Sequence, residues 1–234
     1  VEEMTTLVER KGYRNYPLLG LHPTGEVLPI QASFEPDFSA VNVLQPVSYA
    51  VILPDGEPQI ITLTHIEVYR RGRNGWMLSR HPPSTWGETQ SKTSSRITAT
   101  YPEWDAAVAE RLTSDLAAVL SRMCWQLEVS CEAEFELSLT FSTDVGSLLA
   151  LAEPERLLRQ GTDVTLPTPT LVGKPADEAA YQALLRGYGG ALITAVLADQ
   201  SDYRCCEKFP FFQAVIDYQL AELGLRHWPI DNAD

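Results

Sequence analysis

Residues 41–79 read VNVLQPVSYAVILPDGEPQIITLTHIEVYRRGRNGWMLS, and this stretch decides the architecture. Four runs within it, 41–43, 47–53, 59–64 and 66–70, are rich in β-branched and aromatic side chains, which suit a pleated, half-buried surface. Turn chemistry punctuates them: Pro54-Asp55-Gly56 above all, then Arg73-Asn74-Gly75, whose Asn-Gly pair favours a hairpin, before Trp76-Met77-Leu78. The pattern predicts an antiparallel meander forming one curved sheet. The following HPPSTWGE (81–88) breaks it with two prolines and marks the expected boundary between a domain at 1–90 and a second at 91–234.

Outward from this core the pattern changes. Residues 1–40 show little periodicity: VEEMTTLVER suits a short helix, and the rest reads as turns and short extended pieces. Beyond the boundary, 96–101 is a strand, and Pro102 precedes a helix whose Trp104, Val108, Leu112, Leu116, Val119, Leu120 and Met123 recur at three- and four-residue steps. Phe135, Leu137, Leu139 and Phe141 alternate with Glu136, Ser138 and Thr140, as on a half-buried strand. Residues 153–160 read as helical, and 165–175 as extended and pinned by prolines.

Asp177 is placed to cap a helix carrying Tyr181, Leu184, Leu185, Tyr188, Leu192, Ala195 and Val196 on one face. Gly187, Gly189 and Gly190 lie inside it. Each weakens a helix by about 1 kcal/mol relative to alanine, which predicts close packing or a break there. A final helix at 211–223 stops at Gly224. The fold class is α+β: a curved antiparallel sheet, then a second α+β unit.

With 44% hydrophobic residues in 234, the chain can bury a substantial core. No run approaches the roughly 20 apolar residues of a membrane-spanning helix. The net charge of −13 argues against a duplex nucleic-acid binder, which presents a basic face. The start at Val1 reads as processed or trimmed. Cys124, Cys131, Cys205 and Cys206 permit two disulfides in three pairings; Cys124 and Cys131 bracket a helix-to-strand connection suited to a short bridge. Their spacing does not suit zinc.

Common chemistries are missing from the sequence. There is no GxxxxGK[ST] loop, no G-x-G-x-x-G after a strand, no G-x-S-x-G elbow and no H-E-x-x-H helix, so no cofactor is expected. His22, His65, His81 and His227 are scattered and read as structural or surface residues. Glu134 and Glu136 suit the solvated face of a strand. Arg70, Arg71, Arg73 and Arg80 form the basic cluster of an acidic chain, flanking the hairpin that carries Trp76. Arg70, Arg71, Arg73 and Trp76 are the candidate binding residues: either a solvated hairpin tip or a surface meeting an acidic partner, a lipid head group or the other domain.

The phrases Ile66-Glu67-Val68-Tyr69-Arg70, Gly75-Trp76-Met77-Leu78-Ser79, Pro82-Pro83 and Trp86-Gly87 resemble the closing strands of bacterial extracytoplasmic domains of the nuclear-transport-factor-2-like (NTF2-like) or cystatin-like type. The strand before Tyr101, the helix from Trp104, the strand 135–141, Leu166-Pro167-Thr168-Pro169 and the helix from Asp177 are similar, in order, to a peptidase MA-like (gluzincin metallopeptidase-like) domain. The helix that in such enzymes supplies two zinc histidines and a glutamate here reads Arg186-Gly187-Tyr188-Gly189-Gly190-Ala191-Leu192. It offers no metal ligand, so no catalytic or metal residue is carried over. The resemblance implies a non-catalytic binding or sensing module of a membrane-anchored lipoprotein or receptor, located extracytoplasmically, with a protein or small-molecule partner and membrane contact through an anchor outside this chain. The alternative is a divergent metallopeptidase or another hydrolase with an unrecognised active site.

Overall fold

In the computed structural model, which describes Tyr16 and residues 19–73, 75–126, 135–151, 154–201 and 209–227, Pro54-Asp55-Gly56 closes one long hairpin. Gly56 takes φ 89° there, and the amide of Leu53 donates to the carbonyl of Glu57 at 2.9 Å. The hairpin's arms are β3 (Ala40–Ile52) and β4 (Pro58–Gly72), paired from Ala40↔Arg70 to Ile52↔Pro58. The four short runs of the sequence are thus two long strands. Pro46 is tolerated because β2 (Gln31–Phe34) pairs with Val41–Leu44 and β1 (His22–Pro23) with Tyr49–Ala50, so the proline falls between them and removes no rung to either.

On the far edge of β4, β5 (Gly75–Ser79) pairs with Val68–Gly72 and β10 (Lys174–Pro175) with Leu63–Thr64. Strands β2 and β5 stand three strand spacings apart, roughly 14 Å on a flat sheet. Their Phe34 and Trp76 rings nevertheless lie 5.8 Å centre to centre. The sheet therefore curls into a half-barrel, its strand order β1-β3-β4-β10 carrying β2 and β5 as side branches.

After the single turn α1 (Pro83–Trp86), a second sheet runs β6 (Thr89–Ser94), β7 (Ile97–Pro102), β8 (Leu137–Ser142) and β9 (Asp163–Pro167) in that order. The first pair is antiparallel and the others parallel. Strand β6, Thr-Gln-Ser-Lys-Thr-Ser, carries no apolar alternation and was not foreseen; it is an edge strand with no buried face to encode. Ile97, Ala99, Leu137, Leu139, Phe141, Val164 and Leu166 face inward from the other three. Helix α2 (Ala106–Gln126) connects β7 to β8 after a 3₁₀ turn at Glu103–Asp105, and a second 3₁₀ stretch, Val145–Leu151, follows β8. The helix expected at 153–160 is one turn, α3 (Pro154–Leu157), with Gly161 beyond it at φ 60°. The extended reading of 165–175 holds for β9 and β10 but is interrupted by the turn α4 (Pro169–Val172).

Helix α5 (Glu178–Gln200) is unbroken despite its glycines, and Asp177 Oδ1 caps it by accepting from the Ala180 amide at 2.8 Å. Gly187 has a packing cause: a Cβ there would lie 2.7 Å from Leu19 Cβ and 2.8 Å from its Cα. Helices α2 and α5 are clamped at the surface. Arg111 grips Glu178 through two bonds of 2.6 and 2.8 Å and covers the Tyr181 ring at 3.6 Å, while the Tyr181 hydroxyl donates to Asp115 at 2.6 Å. These bonds from Arg111, with one from Gln182, draw the Glu178 carboxyl down to about 2. Helix α6 (Phe209–Glu222) closes the described chain, with Gly224 at φ 67° just past it. One continuous apolar cluster joins Tyr49, Ile61 and Leu63 of the first sheet to Leu116, Leu139 and Leu192 of the second unit. The two units share a core.

Among the described residues no helix is long and apolar enough to cross a membrane. The N-terminal segment read as a short helix lies outside the described residues, as do Cys131, Cys205, Cys206 and Glu134. Cys124, half-buried near the end of α2, is not a free thiol.

A buried carboxylate ties the start of α2 to the approach to β10. Asp105 is 1% exposed. It accepts from the hydroxyls of Thr168 and Thr170 at 2.5 Å each and from the Thr170 amide at 3.2 Å, with Lys174 Nζ 3.7 Å away. Asp105→Ala strands three donors and an ammonium, and is expected to lower the unfolding free energy by about 3–5 kcal/mol. Urea denaturation measures it; a loss below about 1 kcal/mol would show the knot to be incidental.

Candidate functional site

Strands β5 and β10 occupy the same edge of β4 but leave His65, Ile66 and Glu67 between them. A cavity of about 570 Å³ opens at this gap. The chain leaving β5 bounds it on one side, Thr143–Val145 and Leu148 beyond β8 on another, and Thr170-Leu171 on the approach to β10 on a third. The Asp105 knot holds Thr170, so the bonds that anchor the approach to β10 also fix this wall.

The floor is polar where β4 would otherwise be apolar. Ile61, Leu63, His65 and Glu67 share one face of the strand, and His65 and Glu67 are 3% and 4% exposed. The Tyr49 hydroxyl lies 2.8 Å from His65 Nε2, and the Tyr69 hydroxyl donates to Glu67 Oε2 at 2.7 Å. His81 closes the side of the gap. Its Nε2–H donates to the Ile66 carbonyl at 2.9 Å, and its ring meets Trp86 edge-on at 5.1 Å. Burial holds the His81 imidazole below its usual range, opposed by the Ile66 bond and the charges of Asp105 and Glu67. The ring is therefore neutral and a fixed donor at neutral pH. Leu78, Trp86, Leu148 and Leu171 make the apolar wall, with Arg70, Arg80 and Asp144 at the exposed rim.

Ile66 and His81 also line a second cavity of about 920 Å³ on the opposite side. Gln31, Ser33 and Asn42 contribute to it, as does Trp104, whose ring Lys174 covers at 4.7 Å. The two cavities share this thin partition of one strand residue and one imidazole.

Of the candidate binding residues, Arg70 reaches the rim of the first cavity. Arg71 and Trp76 are cross-strand partners at the hairpin end, and Arg73 lies exposed beyond them. The hairpin thus divides the set between a cavity rim and a projecting tip. Sequence reasoning missed His65, Glu67 and His81 as a group. The available signal was the period-two continuation of Ile61 and Leu63 into a histidine and a glutamate, polar residues on an inward face.

Among the described residues no group of three His, Cys, Asp or Glu side chains is placed to hold a metal ion. Every position of α5 from Gly187 to Ala198 is buried in packing. Comparison with protein-family models, with curated proteins and with solved structures finds no match to this chain.

The depressed His81 fixes the sign of a pH effect. The unfolded chain takes up this proton near pH 6.5 while the folded chain resists, so the stability His81 contributes is complete above that value and declines as pH falls toward the folded pKa. His81→Asn is expected to reduce the loss of stability between pH 7.5 and 5, measured by urea titration at each pH. Parallel curves for the two proteins would contradict this assignment.

Proposed function

We propose that the protein is a non-catalytic binding or sensing module whose ligand is a small amphipathic molecule seated in the gap between β5 and β10. One observation carries the reading: a cavity of about 570 Å³, within the size range of small-molecule sites, sets an apolar wall of Leu78, Trp86, Leu148 and Leu171 against a buried polar floor. The apolar body of a ligand would lie on the wall, and its hydrogen-bonding head would face His65, Glu67 and the rim.

The location is part of the same proposal: the outer side of a bacterial membrane, in a protein held there by an anchor outside this chain. The likeness of the two units to NTF2-like or cystatin-like and gluzincin-like domains belongs to this proposal too, and is supported by a curled antiparallel sheet followed by a mixed sheet with long helices. The hydrolase alternative draws less support, because the segment of α5 that would have to face a catalytic cleft is packed on all sides.

Titration with the fluorescent amphiphile anilinonaphthalene sulfonate tests the cavity. Saturable binding is expected. Ser79→Trp, at a half-buried position on the wall, is expected to weaken it at least about tenfold, while Leu44→Trp in the second cavity leaves it intact. Circular dichroism and melting temperature check that both variants fold. Equal binding by the Ser79→Trp variant would remove the site.

A further inference from the structure

The hairpin ends opposite the Pro54-Asp55-Gly56 turn carry a feature that the cavity does not use. Phe34, Phe38, Trp76 and Met77 are 51%, 58%, 43% and 47% exposed. Phe34 stands 5.6 Å from Phe38 and 5.8 Å from Trp76, ring centre to ring centre, so these three rings form one patch across the curl of the half-barrel, with Met77 on the other face of β5. The two turns are joined: the Arg71 amide donates to the Ser39 carbonyl at 3.0 Å.

Phe38 occupies its place against its backbone preference. Its φ is 55°, in the left-handed region where a bulky side chain is strained and glycine is at ease. The ring gains no core burial in return. A strained aromatic displayed to solvent is a mark of a surface with a task.

On the rings' face lies the exposed Arg71, cross-strand partner of Trp76, with Arg73 exposed in the turn beyond, and no described carboxylate pairs with either, in a chain with 31 acidic and 18 basic residues. The nearest acidic residue in sequence, Glu67, is buried and accepts from the Tyr69 hydroxyl, and Glu35 and Asp37 lie in the Phe38 turn across the hairpin. Asp37 is turned onto the Ser39 amide at 3.0 Å. Unpaired guanidinium groups beside projecting aromatic rings complement an anionic surface. Phe34 ends β2, Phe38 lies in the turn after it and Trp76 lies at the start of β5, so the rings gather at one free end of the sheet, an arrangement suited to insertion into a fluid interface. Trp and Phe with flanking arginines suit the headgroup boundary of a bilayer.

We propose that these paired hairpin ends dock directly on an anionic lipid bilayer. Phe34, Phe38 and Trp76 enter the headgroup boundary, and Arg71 and Arg73 meet the lipid phosphates and carboxylates. The net charge of −13 opposes unselective adsorption to such a surface, so attachment is confined to this patch and fixes the orientation of the molecule.

Flotation of the full chain with vesicles tests the proposal. Vesicles of phosphatidylcholine with one-third phosphatidylserine are expected to carry the protein at low salt, and pure phosphatidylcholine vesicles to carry much less. Raising the salt should weaken the attachment. Phe38→Gly relieves the backbone strain, so it is expected to fold at least as well while binding about fivefold less or weaker still. Replacing Arg71 and Arg73 together with glutamine should remove the preference for phosphatidylserine. Absence of flotation, or full binding by the Phe38→Gly variant, would overturn the proposal. So would binding to soluble polyglutamate without binding to vesicles, which would assign the patch to an acidic protein partner instead.

Discussion

A carboxylate shut away from water must find donors, and Asp105 finds them in two threonines and a backbone amide from a segment more than sixty residues away. The rest of the structure depends on this demand. Asp105 lies in the 3₁₀ turn between β7 and α2, while Thr168 and Thr170 lie where the chain leaves β9. Tyr188 of α5 adds a bond to the Pro167 carbonyl at 2.7 Å, and the Tyr16 hydroxyl reaches the Leu171 carbonyl at 3.4 Å. Residues 167–171 are thereby held from three directions. They lead directly into β10, which adds itself to the edge of β4.

That docking creates the candidate site. Two short strands arriving on one edge from different parts of the chain do not meet, and the uncovered middle of β4 becomes the floor of a cavity. The polar residues there are buried by the second unit rather than by their own sheet, which is why they need partners such as Tyr49 and Tyr69. The cavity is thus a property of the assembled molecule, with neither unit supplying it alone. The hairpin ends differ: their rings and guanidinium groups depend on local turns and stay outside the shared core.

The parts of this architecture legible in the sequence were those with a strong local period or a recognisable stop. The α2 stripe, the alternation Leu137-Leu139-Phe141, the Asp177 cap and the turn at Gly56 each encode a local geometry, and each is present. Strand β6 was not legible, because an exposed hydroxyl-rich edge has no buried face to impose a pattern. The continuity of β3 through Pro46 depends on which strands flank it, and a one-dimensional reading does not contain that information. The same holds for the site. Arg70 was legible as part of a charge cluster, but the meeting of His65, Glu67 and His81 follows from where β10 docks. Asp105 showed no sign of its role, since a buried aspartate reads like any other acid beside a helix start.

The fit of Leu19 against Gly187 bears on how the molecule is made. These residues are separated by most of the polypeptide, and the glycine is needed because the early segment passes so near the helix axis. During synthesis the first sheet leaves the ribosome long before α5 exists. Its inward face, with Tyr49, Ile61 and Leu63, must wait uncovered until the late helix arrives. Closure of so long a loop makes folding slow and leaves the nascent chain in need of protection during that interval.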